Sequence, residues 1–135
     1  MKIRFLALIA SVLLFSACVK NVEDEGVNPD FIPHFTYGGF TYYIHPSLGE
    51  MTWTDAKKAC RNHDGYGFHD WFLPSQGEVD AARNAGFRWV EGWTSTKHTN
   101  TDSYFFYDAD YYYGEGRWSW DETGKLHIVI PMRKQ

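Results

Sequence analysis

Cys60 and His63 are the nearest approach to a nucleophile with a base, three positions apart on one predicted helix. The apolar positions around Cys60 argue against that use, because burial raises a thiol pKa and leaves little thiolate. The histidines at 34, 45, 63, 69, 98 and 127 include no close pair at the spacing of a zinc motif. Acidic residues gather late in the chain, at Asp102, Asp108, Asp110, Glu115 and Asp121. Asp108, Asp110, Glu115 and Asp121 are the candidate calcium ligands, since calcium takes about six to eight oxygen atoms. Loop carboxylates are also common as plain solvated surface. The same region is crowded with rings: Tyr104, Tyr107, Tyr111, Tyr112, Tyr113, Trp118 and Trp120, with Trp93 nearby. Alternation along strands turns only about half of such residues into one core. Rings left outside would form a recognition surface, suited to sugars whose C–H faces lie on aromatics while hydroxyls bond to acids. Tyrosine also fills strands well, so packing and binding both stand. The candidate ligand-binding residues are Trp93, Tyr111, Tyr112, Tyr113, Trp118 and Trp120, and no catalytic residue is expected.

The start of the chain speaks to compartment. Lys2 and Arg4 precede an almost unbroken apolar run over 5–15, then Ser16, Ala17 and Cys18. That is the layout of a secretory signal, too short to span a membrane. Phe15-Ser16-Ala17-Cys18 resembles a bacterial lipobox, with Phe15 in place of the commoner leucine. It implies cleavage before Cys18 and lipidation of its thiol. An ordinary signal cut after Ala17, leaving Cys18 as a free thiol, is the other reading. Several acyl chains make a stable anchor, each buried methylene contributing about 0.8 kcal/mol. The expectation is a lipid-anchored outer-membrane protein.

Without residues 1–17 the chain keeps 11 Lys and Arg against 17 Asp and Glu, a formal charge of −6 instead of −4. With no basic cluster, this balance argues against nucleic acid or anionic glycans as the main partner. Residues 18–30 read as a flexible tether around Glu23-Asp24-Glu25, too poor in apolar surface to fold. An acidic run there loosely resembles surface-export signals of some Gram-negative lipoproteins, which leans the assignment toward the cell surface. Residues 31–135 suffice for one domain with its own core.

Within that domain two strands, 35–37 and 40–45, flank Gly38-Gly39, a dipeptide that supplies the positive φ of a tight hairpin. Alternation puts Phe40, Tyr42 and Ile44 on one face and Thr41, Tyr43 and His45 on the other. Thr52 to Asp55 and Ser75 to Glu78 each fit a capping box, so a helix should follow each. Asp64-Gly65 should stop the first helix and Gly86 the second. Strands are predicted at 93–96 and 104–107, and a hairpin of 118–120 with 126–132 around residues 121–124. A hairpin, two helices and several antiparallel strands make the class α+β.

Met51-Thr52-Trp53-Thr54-Asp55-Ala56-Lys57-Lys58-Ala59-Cys60 resembles the first helix of the Lcl C-terminal domain family, named for the end domain of a bacterial collagen-like adhesin. Asp70-Trp71-Phe72-Leu73-Pro74-Ser75 with Glu78 resembles its D-W-R-L-P-T-x-x-E-L signature. Gly92-Trp93-Thr94-Ser95-Thr96 resembles its Y-W-S-S-T strand, and Arg133 stands where that family ends. The resemblance runs over about 40–133. It implies a C-type-lectin-like fold of two helices on short antiparallel sheets, and a ligand-binding surface that takes a glycan or a protein. The alternative it leaves open is a structural or assembly component of a cell-envelope complex. The formylglycine-generating enzyme family is similar over 73–83, but the cysteine pair those enzymes use is absent, so their activity is not expected. Trp120-Asp121 resembles, without its asparagine, the calcium-ligating W-N-D of animal C-type lectins. Many Lcl-type domains pair the first-helix cysteine with one near the C-terminus. Residues 128–135 hold none, so Cys60 should be a buried free thiol. Phe72 replaces the family's arginine. Pro74 bounds the second helix and Ser75 caps it, so 70–75 reads as scaffold.

Overall fold

A computed structural model describes residues 28–99 and 101–135. The leader, Cys18 and most of the acidic tether lie outside the described residues. After a 3-10 turn at Pro29–Phe31, the chain forms β1 (His34–Tyr37), β2 (Phe40–Ile44), β3 (Glu50–Met51), α1 (Trp53–Asn62) and α2 (Gln76–Asn84). There follow β4 (Gly92–Lys97), β5 (Ser103–Asp108), β6 (Arg117–Glu122), β7 (His127–Ile128) and β8 (Met132–Lys134). The fold is α+β, and among the described residues three antiparallel sheets have the orders β1-β2-β8, β3-β7 and β4-β5-β6.

Local signals account for the helices. Ser75 Oγ accepts from the Glu78 amide at 3.2 Å, and Glu78 Oε1 accepts from the Ser75 amide at 2.8 Å. Both halves of the capping box are therefore made. At α1 only half forms: Thr52 Oγ1 accepts from the Asp55 amide at 3.3 Å, with no reciprocal bond from Asp55. The helix ends at Asn62 with His63 as its cap, just before the expected Asp64-Gly65 stop. Val79 and Ala82 of α2 pack with Phe35, Tyr42, Ile44 and Met132, while Ala56 and Cys60 of α1 pack with Leu73, Trp93 and Val129.

One expectation is overturned. The predicted hairpin of 118–120 with 126–132 does not form. Strand β6 pairs with β5, β7 pairs with β3, and β8 crosses to β2, where Ile44 faces Met132. The turn residues promised a local return, but buried Val129, Ile130 and Met132 fill gaps between distant elements instead. Tyr43, on the face of β2 that Thr41 and His45 share, is buried with Ile32 and Trp71. The turn before β1 and the segment around Tyr66 and Phe68 cover that face.

Residues 70–75 act as scaffold. Asp70 accepts a fork of hydrogen bonds from Arg133 at 2.7 and 3.2 Å, tying β8 to the loop. Trp71 is buried and donates its indole N–H to Gly65 O at 3.0 Å. Phe72 exchanges backbone bonds with Met132, Leu73 enters the core, and Pro74 O accepts from Ser95 N at 2.8 Å. Each residue from Asp70 to Ser75 thus has a structural partner.

Candidate functional site

The late aromatic residues divide by burial. Trp93, a candidate ligand residue by sequence, is fully buried, and its indole N–H donates to Met51 O at 2.9 Å. It is core: on β4 it points into the cluster of Cys60 and Leu73. Trp118 is half-buried against the other core cluster and donates to Asp80 Oδ1 at 2.9 Å. Tyr104 stacks on Trp53 at 3.7 Å, and Tyr107 lies beneath the Arg83 guanidinium at 4.0 Å. The rings that face solvent are Tyr111, Tyr112, Tyr113 and Trp120, with Tyr113 97 % exposed.

Their presentation follows from the backbone between β5 and β6. Asp108 Oδ1 accepts from the Asp110 amide at 3.2 Å and starts a tight turn over Tyr111–Gly114. Tyr112 and Tyr113 both adopt left-handed geometry, with φ of 49° and 57°. Two consecutive bulky residues there cost roughly 1–2 kcal/mol each. Such strain collects where the surroundings enforce a particular display of side chains. Gly116 is needed for a different reason: a Cβ there would collide with the Tyr107 ring. Arg117 lies 3.9 Å over Tyr111 and holds the turn against β6.

Beside that turn is a cavity of about 300 Å³ whose walls are acidic: Glu50 from β3, Glu91 before β4, Asp108 at the end of β5, and Asp110. Phe106 and His127 also line it. His127 is held on two sides, stacked on Phe106 at 3.7 Å and bonded through Nε2 to Asp121 Oδ2 at 2.9 Å. Burial, with Asp110 and Asp108 close by, pushes the Glu91 carboxyl above its usual range, while Arg83 opposes the shift. The cavity can therefore offer hydrogen-bond acceptors to hydroxyls or a counter-charge to a cation.

The candidate calcium set is split between separate places. Asp108 and Asp110 face the cavity, Asp121 is bonded to His127, and Glu115 follows the tyrosines outside the lining. Among the described residues no three His, Cys, Asp or Glu side chains come close enough to share an ion. The four do not come together as one calcium shell, because Asp108 ends β5, Asp110 and Glu115 flank the tyrosine turn, and Asp121 lies on β6.

Sequence reasoning missed Glu50, Glu91 and His127. Each comes to the cavity through pairing between distant segments, and none has a local signal. Cys60 is 1 % exposed and free, and burial pushes its thiol up to about 12. His63, its supposed base, turns its ring instead to His45, with the two Nε2 atoms 2.9 Å apart. Among the described residues no helix is long and apolar enough to cross a membrane. No family model matches the chain, and no curated protein matches it.

Proposed function

We propose that this chain is a surface-exposed, lipid-anchored bacterial lipoprotein whose lectin-like domain binds a glycan without catalysing a reaction. The observation that carries the reading is the juxtaposition of solvent-facing Tyr111, Tyr112 and Tyr113 with the acidic cavity that begins one residue earlier, at Asp110. Rings exposed on a turn suit the C–H face of a sugar. The carboxylates that line the cavity accept bonds from its hydroxyls, the mixture of apolar wall and placed polar groups that small-ligand sites use. The lipobox-like Phe15-Ser16-Ala17-Cys18, the acidic tether and the likeness of 40–133 to an adhesin end-domain support the location.

The purified protein should bind at least one member of a glycan array. Tyr113→Ala and Asp110→Asn should each abolish that binding while the melting temperature stays unchanged. Array binding that survives both substitutions would exclude the tyrosine turn and cavity as the site.

A second reading, assembly into an envelope complex, is favoured by one feature. Among the described residues, strand β6 ends its sheet with one edge unpaired and carries Trp120, 54 % exposed. Such an edge accepts a strand from a partner chain. Silence on the array, together with an envelope protein that co-purifies with wild type and is lost in Trp120→Ala, would favour it.

A further inference from the structure

The direction of each backbone group on β6 follows from the bonds of its neighbour β5. The Ser103 carbonyl accepts from the His98 amide at 2.9 Å, and the Phe105 carbonyl accepts from Thr94 Oγ1 at 2.8 Å. Ser103 and Phe105 therefore turn toward β4. Backbone groups alternate in direction along a strand, so Tyr104, Phe106 and Asp108 turn toward β6, where they face Asp121, Ser119 and Arg117. That leaves Trp118, Trp120 and Glu122 pointing away from the sheet. Glu122 is served locally: its amide donates to Asp121 Oδ1 at 2.9 Å, and its carbonyl accepts from Lys125 N at 3.1 Å. Among the described residues, the amides and carbonyls of Trp118 and Trp120 have no partner.

An open edge of this kind takes another strand, and the residues of β6 favour one strand above others: their own. Antiparallel pairing with a second copy about a dyad at Ser119 sets Trp118 of each copy against Trp120 of the other. Each of these pairs exchanges two backbone bonds, which satisfies all the open groups. The same register sets Arg117 of each copy against Asp121 of the other, in the closer, non-hydrogen-bonded positions where opposite charges attract. Among the described residues Arg117 has no ion pair within its own chain. Each Asp121 oxygen accepts one bond within the chain and can accept another. Neighbouring registers fail. A dyad at Trp118 needs the Gly116 amide, which already donates to Tyr111 O, and a dyad at Trp120 needs the groups of Glu122, which are also committed. The Trp120 ring, 54 % exposed, gains Trp118 of the second copy as a cross-strand neighbour.

We infer that β6 is a self-association edge, on which a second copy of this chain pairs antiparallel about Ser119 to make a continuous sheet of order β4-β5-β6-β6-β5-β4. This commits the edge to a second copy instead of a foreign envelope protein, and it does not depend on what the tyrosine turn and cavity bind.

Sedimentation of the purified protein over a wide range of concentration tests it. Wild type should show a reversible equilibrium of monomer and dimer. Arg117→Asp and Asp121→Arg should each weaken the dimer at least tenfold, and an equimolar mixture of the two should restore it, because every aspartate then meets an arginine. Ser119→Cys should give a disulfide-linked dimer on mild oxidation, since Cα atoms opposed at such a position lie about 4.5 Å apart, within reach of a disulfide. Wild type, which has Cys18 and Cys60, is the control. If a charge variant fails to fold, the Ser119→Cys cross-link still decides, as does slowed exchange of the Trp118 and Trp120 amides in associated wild type. A monomer at every concentration would overturn the inference. So would dimers indifferent to both charge reversals, Ser119→Cys that cross-links no more than wild type, or an envelope protein held at this edge in place of the second copy.

Discussion

At the scale of single residues, two side chains that look reactive or sticky in the sequence serve the interior. Cys60 has lost both access and acidity, since burial pushes its thiol to about 12. A thiol reagent at pH 8 should leave it unmodified in the native protein and label it fully once unfolded. Trp93→Ala should cost about 3–5 kcal/mol in chemical denaturation, as for other buried large-to-small changes. Tyr113→Ala should stay within about 0.5 kcal/mol, because its ring touches mostly water. Glu91 gives a pH signature. Its folded pKa lies above the ordinary 4.5, so protonation favours the folded state. The stability that its protonated form contributes is fully present below 4.5 and lost as pH rises through the folded value. Glu91→Gln should therefore melt higher than wild type at pH 7.5, with the difference vanishing at pH 4. A variant melting at or below wild type at pH 7.5 would contradict the crowding of carboxylates.

At the scale of elements, the helices were legible because their signals are local. Ser75, Pro74 and Glu78 mark the start of α2 within five residues, and both capping bonds are made. Ser75→Ala should cost about 1 kcal/mol. Strand partners were not legible. A turn does form after Glu122, later than 121–124 because Asp121 and Glu122 still pair in β6, yet β7 and β8 leave it for β3 and β2, a choice made by core filling far along the chain. The same non-local pairing explains why Asp110 could be picked out by sequence and Glu50 and Glu91 could not. It also explains the failed placement of Trp93. Alternation said that only about half the rings can enter one core, but not which half. Gly92 is a strict requirement of this pairing. It sits at φ 94°, and a Cβ would collide with Ile128 O. Gly92→Ala should cost about 3 kcal/mol or more, combining backbone strain and overpacking.

At the scale of the whole molecule, the domain spends backbone strain on an exposed display and closes its ends against each other. Strand β8 pairs with β2 near the start of the domain, and Arg133 clamps Asp70. A chain tethered near residue 28 would thus hang from the side where β1 and β8 flank β2. Whether that tether ends in a lipid is a question for labelled palmitate: incorporation into wild type and its loss in Cys18→Ala are expected. No label in wild type would remove the anchor, and label that persists without Cys18 would remove that thiol as its site. The central claim, recognition at the tyrosine turn and acidic cavity, is tested most directly by amide chemical-shift mapping while the tightest array glycan is titrated in. Shifts confined to 106–116, with Glu50, Glu91 and His127, are the expected result. A bound glycan that leaves those amides still and moves another face would contradict it.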